Sequence, residues 1–229
     1  MQPYLFPYIG YFQLIAAADR FVLYDDVNFI KQGWINRNNI LVNGAPYRFT
    51  VPIQSVSSFV AINEVLLDPR LYPAWREKFL KTLTQAYAKA PHFQKTFELV
   101  KSVLDPFATH VVQLAYSSVE AVCGHVGIPT TIVPSSSIYR NNELRAQERI
   151  LDICRLEGAA HYINAQGGVG LYDRVVFKEH GFKLSFVQPV ISVYPQGKST
   201  FVPGLSIIDV LMFNSPEKVR TMVMDTQLN

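Results

Sequence analysis

The sequence predicts an α/β fold in which a mainly parallel sheet is flanked by helices, with an N-terminal β-hairpin excursion and a helical insertion. From Ile128 onwards, short strand-forming runs alternate with helical patterns, which is the rhythm of βαβ units and parallel strands. Earlier, Asn43-Gly44 separates two apolar runs and indicates a hairpin. The 229 residues fit one domain, residues 1–229, with the insertion at about residues 70–126.

The N-terminal third combines a helical pattern with strand patterns. Apolar residues recur at helical spacing from Ile9, and a strand-forming run then stops at Asp25-Asp26. Pro46 indicates that its arm of the hairpin is an edge strand or starts later. The predicted elements are a helix at 9–18, a strand at 21–24, hairpin arms at 40–42 and 47–51, and a strand at 59–67.

The rest of the chain is helical at first and then alternates. Leu71, Trp75 and Phe79 begin an apolar series at every fourth position, which predicts an amphipathic helix. The predicted helices are 71–87, 93–104, a third from Pro106 to Gly124, 143–156 and 171–180. The predicted strands are 130–133, 161–164 and 183–187, and residues 201–212 form a last helix or a strand-helix pair.

Composition limits the class of protein. Hydrophobic residues make up 49% and charged residues 17%, which excludes a disordered chain. The net charge of +3, without a Lys/Arg run, speaks against a nucleic-acid partner. Cys123 and Cys154 lie in helical patterns and are expected to be buried thiols. No run reaches the roughly 18 apolar residues of a membrane span, and we expect a cytoplasmic protein.

Asp25 and Asp26 are the candidate catalytic residues. They follow a predicted strand, and in an open α/β sheet ligand groups collect beyond the carboxyl ends of strands. Side chains alternate along a strand, so only one of the two faces the site if the strand continues through them. That carboxylate would act as general base or bind an amine. The alternative is a helix-capping or turn-capping role.

Lys31, Trp34 and Arg37 form a second candidate group just before the hairpin. An ammonium and a guanidinium close together suit the anionic part of a substrate, because the guanidinium binds phosphate or carboxylate with two N–H groups. The alternative is a pair of solvated loop charges with Trp34 packed beneath them.

Two loops that follow predicted strands are candidate substrate-binding segments. The segment 134–137 offers hydroxyl and N–H groups, and the glycine-rich turn 165–170 allows close approach of a ligand to the backbone. For the glycine turn the alternative is a tight strand-to-helix connection. The candidate binding residues in these loops are Ser135, Ser136, Asn164, Gly167, Gly168 and Tyr172.

Common cofactor and metal motifs are absent from the sequence. The five histidines have no partner at metal-ligand spacing, and HExxH and CxxC do not occur, so no metal site is predicted. The glycine turn matches neither the dinucleotide fingerprint nor the P-loop, and a G-x-S-x-G nucleophile elbow is lacking. The cofactor and the oligomeric state stay open.

Several blocks resemble the WbqC-like family, in the same order and from Gln2 to about Asn214. They are QPYLFPYIGYFQLI, DRFVLYDDVNFIKQGWINRNNI, SSSIY, HYINAQGGVGLYD and PGLSIIDVLMFN. The resemblance implies a context of bacterial surface-polysaccharide (O-antigen type) biosynthesis. Within these blocks we add Gln2, Tyr4, Gly10, Tyr11 and Asp209 as candidate substrate-binding residues.

Asp209 lies inside an apolar run and is either a helix cap or a buried partner of Lys31 or Arg37. Family members commonly carry a few strand residues ahead of the QPY motif. The resemblance therefore implies a strand that leads into Gln2 and Tyr4.

The leading functional hypothesis is a transferase that delivers an acyl or aminoacyl group to a sugar or nucleotide-sugar precursor. A second hypothesis is nucleotidyl transfer, because Pro7-Tyr-Ile-Gly10-Tyr11 between a strand and a helix is similar to the H-x-G-H turn of nucleotidyltransferases. No histidine is present there, so this likeness bears on fold alone. The non-catalytic alternative is a binding protein of a polysaccharide assembly pathway, which would expose its aromatic residues to a partner.

Overall fold

The structure is a computed structural model that describes residues 1–57, 59–198 and 200–229. Its α-helices are α1 (Ile9–Ala16), α2 (Tyr72–Tyr87), α3 (Phe93–Val103), α4 (Val111–Val126), α5 (Ala146–Leu156), α6 (Arg174–Glu179), α7 (Ile207–Phe213) and α8 (Pro216–Met224). Its strands are β1 (Arg20–Val22), β2 (Arg37–Val42), β3 (Ala45–Thr50), β4 (Thr131–Val133), β5 (His161–Ala165), β6 (Lys183–Gln188) and β7 (Gln227–Leu228). Short 3-10 helices cover Ile62–Glu64, Ser136–Tyr139 and Gln166–Leu171.

The strands of the described residues lie in small sheets. β1 pairs with β4 in parallel, β5 pairs with β6 in parallel, and β7 joins the far edge of β6 antiparallel. The α/β class is thus correct, with parallel strands separated by helices. The single, mainly parallel sheet is not confirmed, because the two parallel pairs belong to separate sheets.

The predicted hairpin is confirmed. β2 and β3 pair antiparallel with Val42 opposite Ala45, and Asn43 and Gly44 between them have φ of 52° and 77°. Two consecutive positive φ angles are what a type I′ turn requires, and Asn-Gly adopts them most readily. Pro46 is tolerated because β3, among the described strands, pairs with β2 alone.

The strand predicted at residues 59–67 is wrong. The backbone there bonds to different segments in turn: Ile62 N donates to Val27 O, and Leu67 N donates to Thr109 O. Isolated bridges and a 3-10 turn therefore replace a ladder. Ser58 lies outside the described residues.

The third predicted helix starts later than expected. α4 begins at Val111 rather than at Pro106, and His110 precedes it in extended conformation. The N–H of His110 donates to Oε1 of Gln113 at 3.0 Å, so a capping box sets this start.

Two apolar clusters form the core of the described residues. The larger one draws on α1, the helices α2 to α4, α7 and α8, so the predicted insertion contributes to the main core. The smaller one gathers around Phe177 and Phe186, with Ile150 and Leu151 of α5. Cys123 and Cys154 are buried and free, and burial raises the pKa of their thiols to about 12 and about 11. Across the described ranges, no helix is long and apolar enough to span a bilayer.

Candidate functional site

The acidic pair and the serine turn meet at one edge of the β1–β4 sheet. Val22 and Val133 are register partners in this parallel pair, so the segments that follow the two strands leave the sheet on the same side. Asp25 and Asp26 follow β1, and Ser135 and Ser136 follow β4.

Asp25 is buried, with 2% of its surface exposed, and it is held by the serine turn. Its Oδ1 accepts from Ser135 Oγ at 2.7 Å and from Ser136 N at 3.1 Å. Burial raises the pKa of the Asp25 carboxyl, while these hydrogen bonds act in the opposite direction. Burial is thus the larger of the two opposed effects on the pKa of this carboxyl.

Asp26 has a different environment beside the same turn. Its Oδ1 accepts from Ser136 Oγ, and its Oδ2 lies 2.6 Å from Nη2 of Arg149. The hydroxyl of Ser136 also reaches Asp25, so both carboxylates contact this one serine. The expectation that only one faces the site does not apply, because β1 ends at Val22 and side chains need not alternate beyond it.

Arg149 is a residue of the candidate site that sequence reasoning missed. It lies on α5 and its side chain is 2% exposed. Its Nε donates to Asn141 at 2.9 Å, its Nη2 also donates to Asn142 at 2.8 Å, and its guanidinium lies 4.8 Å from the ring centre of Tyr24. The sequence did contain one indication of this role. Arg149 lies four residues before Ile153 on the buried face of a predicted helix, and a buried arginine requires a partner.

The glycine turn contains its own polar contacts. Asn164 Nδ2 donates to the hydroxyl of Tyr162 at 3.1 Å, and that hydroxyl lies 3.5 Å from the hydroxyl of Tyr172. A Cβ on Gly168 would lie 2.9 Å from Asn164 Nδ2, so glycine is required there by close approach. Gly167 has open space where its Cβ would be.

Tyr24 connects the acidic pair with the glycine turn. Its ring lies under Arg149, and it packs against the smaller apolar cluster together with Tyr162 and Tyr172. Burial raises the pKa of Tyr24, with Arg149 acting against it and Tyr172 adding to it. The acidic pair, through Arg149 and Tyr24, and the glycine turn, through Tyr162 and Tyr172, therefore border the same apolar cluster.

No contact among the described residues brings Lys31, Trp34 or Arg37 to the acidic pair and the serine turn. Lys31 is exposed, and Trp34 is 43% exposed, so the indole is not packed beneath the two cations. Arg37 lies in β2 with its Nε buried and without a hydrogen-bond partner in the described part of the chain. Their role in binding an anion stays a prediction.

Asp209 lies in the first turn of α7 and is fully buried. It accepts from the hydroxyls of Tyr87 and Tyr194, both at 2.8 Å, and from Gln196 Nε2 at 2.7 Å. The N-cap of α7 is Ser206 rather than Asp209, and the partners of this carboxylate are neutral donors rather than Lys31 or Arg37. Burial raises the pKa of Asp209 and these hydrogen bonds act against the rise.

The N-terminal motif residues form an aromatic group beside α1. The hydroxyl of Tyr11 donates to Gln2 O at 2.8 Å, and its ring centre lies 5.6 Å from that of Tyr4. The ring of Tyr8 lies so close to Gly10 that a Cβ added at Gly10 would be 2.5 Å from Cε2 of Tyr8. The motif therefore fixes the segment that leads from Met1 into α1, and its contact with substrate stays a prediction.

Metal ligands do not cluster in the described residues: no group of three or more His, Cys, Asp or Glu side chains is arranged to hold an ion. The groups available to a ligand are instead the hydroxyls of Ser135 and Ser137, which lie 2.7 Å apart. Ser135 is half-buried and Ser137 is exposed, so they connect the buried Asp25 with the surface.

These features define an α/β protein whose candidate site joins carboxylates and serines beyond two parallel strands. The chain belongs to the WbqC-like protein family, whose profile matches residues 2–221. It is 30% identical over 211 residues to the uncharacterized protein Rv1507c of Mycobacterium tuberculosis, with 91% of this chain and 89% of that protein covered. No solved structure matches the chain.

Proposed function

We propose that the protein is a transferase that delivers an acyl or aminoacyl group to a sugar or nucleotide-sugar precursor of a bacterial surface polysaccharide. The observation that carries the proposal is the contrast between two adjacent carboxylates. Asp26 is paired with Arg149 at 2.6 Å, whereas Asp25 has neutral donors and a raised pKa. Such divergence between neighbouring acids is characteristic of sites that transfer protons.

In the proposed reaction Asp25 accepts the proton of the attacking group. Because Asp25 is 2% exposed, the proton passes through the half-buried hydroxyl of Ser135, 2.7 Å away. The acceptor oxygen or nitrogen forms a bond to the carbonyl carbon of the donor, and the bond from that carbon to the leaving group breaks. The proton then returns from Asp25 through Ser135 to the leaving group, so protons balance.

Arg149 has a supporting role in this proposal. Its guanidinium holds the Asp26 side chain in place, since the two side chains are 2% and 5% exposed and lie 2.6 Å apart. The negative charge of Asp26 in turn adds to the rise in the pKa of Asp25. The Arg149–Asp26 ion pair therefore supports the raised pKa of Asp25, the proposed proton acceptor.

The polysaccharide context rests on membership of the WbqC-like family and on the resemblance described above. The carboxylate beside a cation favours an enzyme over a binding protein that would use exposed aromatic residues alone. Donor and acceptor are expected to meet at the surface formed by Ser135, Ser137 and the glycine turn.

The test is to incubate the purified protein with a panel of nucleotide sugars and acyl or aminoacyl donors, and to identify products by mass. A product heavier than the sugar by one acyl or aminoacyl group, lost in Asp25→Asn and kept in Asp105→Asn, supports the proposal. Asp105 is a matched control because it takes the same substitution at an exposed aspartate between α3 and α4, whose Oδ1 accepts from Phe107 N at 2.9 Å. A nucleotidylated product, or ligand binding without any product, would contradict acyl transfer.

A further inference from the structure

The hydroxyl of Ser135 has no hydrogen-bonding position left for a substrate. It donates to Asp25 Oδ1 at 2.7 Å, and it accepts from the N–H of Ser137 at 3.2 Å. Its oxygen also lies 2.7 Å from Oγ of Ser137. A hydroxyl has one proton to donate and two lone pairs with which to accept, so these three contacts use every position. A substrate that bonded to Ser135 would have to break one of them.

The direction of the hydrogen bond between the two serine hydroxyls follows from this count. Ser135 gives its single proton to the carboxylate of Asp25, which can only accept while it is ionised. Ser137 must therefore donate to Ser135 across the 2.7 Å between their oxygens. The three side chains form one row in which each hydroxyl donates inwards, from the surface towards the buried carboxylate.

Ser137 is the outer end of this row. It is exposed, whereas Ser135 is half-buried and Asp25 is 2% exposed. Among the described residues, Ser135 is the one hydrogen-bond partner of the Ser137 hydroxyl. Because the proton of Ser137 is directed to Ser135, its two lone pairs are left to accept a hydrogen bond from a ligand.

The backbone holds Ser137 in this position. Ser135 is the N-cap of the 3-10 helix Ser136–Tyr139, and its hydroxyl accepts from Ser137 N. At the other end of the helix, Arg140 N donates to Ser137 O at 3.2 Å. Both backbone polar groups of Ser137 are thus bonded, so its hydroxyl lies beside Ser135 before a substrate binds. Positioning of this kind lowers the entropic cost of a proton transfer.

We infer that Ser137 is the catalytic residue that contacts the attacking group of the acceptor and relays its proton through Ser135 to Asp25. The inference rests on the transfer reaction proposed above, and it defines the acceptor class for that reaction. The attacking atom is the oxygen of a hydroxyl or the nitrogen of an uncharged amine. These groups can donate a hydrogen bond to Ser137 and still have a lone pair with which to attack.

Protons balance in both halves of the reaction. As the attacking atom bonds to the carbonyl carbon, its proton moves to Ser137, the Ser137 proton moves to Ser135, and the Ser135 proton moves to Asp25. The row then points outwards, with Ser137 donating to the leaving group. When the bond from the carbonyl carbon to the leaving group breaks, the same shift in reverse delivers one proton to that group and leaves Asp25 ionised.

The experiment compares Ser137→Thr with Ser137→Val in the full chain. The two side chains have nearly the same shape and only threonine carries a hydroxyl, so the comparison isolates that group. Valine also fills the space in which a water molecule could replace the hydroxyl. We expect Ser137→Thr to transfer the group within about tenfold of the wild-type rate, and Ser137→Val to be slower than wild type by about 10²-fold or more.

Ser102→Val is the matched control for this comparison. Ser102 is an exposed serine of α3, and its hydroxyl donates to Leu99 O at 2.8 Å. It takes the same substitution away from the serine turn, so its rate of transfer should equal that of wild type.

A double variant gives a readout that a merely structural role of Ser137 would not produce. If Ser137 acts through Asp25, the loss of both groups should cost no more than the loss of Asp25 alone, because members of one relay are not additive. The variant that combines Asp25→Asn with Ser137→Val should therefore transfer at the rate of Asp25→Asn.

Equal rates of Ser137→Thr and Ser137→Val would overturn the inference, because the proton would then reach Asp25 by another path. Rate losses that multiply in the double variant would also overturn it, since the two residues would then act independently. In both cases the proposed transfer itself stands if wild type forms the acylated sugar and Asp25→Asn does not. A wild type that forms no such product contradicts the proposed function, and the role of Ser137 is overturned with it.

Discussion

Nη2 of Arg149 and Oδ2 of Asp26 lie 2.6 Å apart, joining α5 to the segment after β1. The two residues are 123 positions apart in sequence, and both side chains are almost fully buried. The ion pair therefore ties two distant elements together at the candidate site, and its removal leaves a buried charge without compensation.

Replacing Arg149 with methionine should lower the free energy of unfolding by about 3 kcal/mol, because Asp26 stays buried without its cation. Urea unfolding measures this loss. The matched control is Arg155→Met on the same helix, where the arginine is 70% exposed and lies 2.7 Å from Asp152. This exposed pair should contribute less than about 1 kcal/mol. Equal losses of unfolding free energy in the two variants would show that burial of the Arg149–Asp26 pair does not increase its contribution to stability.

Gly168→Ala should destabilise the glycine turn, whereas Gly167→Ala should not. The added Cβ at Gly168 would meet Asn164 Nδ2 at 2.9 Å, and Asn164 is held by its bond to the Tyr162 hydroxyl. We expect a loss of about 1–3 kcal/mol from this overpacking. Gly167 has no neighbour within 4 Å of such a Cβ, and its change should stay within about 1 kcal/mol. Similar thermal unfolding of both variants would count against the close approach.

Tyr87→Phe should cost about 2 kcal/mol of unfolding free energy. The Tyr87 hydroxyl donates to Asp209 at 2.8 Å and accepts from Leu41 N at 2.7 Å, so its loss leaves two buried polar groups short of a partner. Tyr47→Phe is the control, because Tyr47 is 42% exposed and its loss should change stability by less than about 0.5 kcal/mol. Chemical denaturation measures the free energy of unfolding of both variants. An unchanged value for Tyr87→Phe would refute the structural role of this hydroxyl.

The raised pKa of Asp25 makes stability depend on pH with a definite sign. Between the ordinary aspartate pKa of about 3.9 and its higher folded value, the native state binds more protons than the unfolded state. The stability of wild type relative to Asp25→Asn should therefore fall as pH rises from about 4 through the higher folded pKa.

Asp152→Asn serves as the control of opposite sign for this pH dependence. Hydrogen bonds from Asn141 and Arg155 lower the pKa of Asp152, so its contribution is present above about pH 4 and is lost as pH falls through the lower folded value. Urea unfolding across pH measures both trends. A wild-type advantage over Asp25→Asn that grows with pH would contradict the raised pKa.

The meeting of the acidic pair and the serine turn follows from sequence because it depends on topology alone. Two strand patterns that end in Asp25 and Ser135 place those residues at a common edge once the strands are parallel neighbours. The hairpin at Asn43 likewise depends on local backbone preference, which the sequence carries directly.

The identity of the cation beside Asp26 depends on packing and was not predicted from the sequence. Lys31 and Arg37 are near Asp26 along the chain, but the described ion pair is made by Arg149, which α5 carries to it from far away. The strand predicted at residues 59–67 does not form, because the backbone groups around Ile62 bond to different segments. The tertiary fold sets those partners. The same holds for Asp209, whose donors come from three separate positions.

The proposed role of Asp25 is best checked by the rate of group transfer in the Asp25→Asn variant. Asparagine keeps the size of the side chain and can still accept a hydrogen bond from Ser135, but it cannot take up the proton. The proposed role of Asp25 predicts a rate lower by about 10²–10⁴ than wild type, with Asp105→Asn close to wild type and thermal unfolding still cooperative. A folded Asp25→Asn protein that transfers the group at the wild-type rate would contradict it.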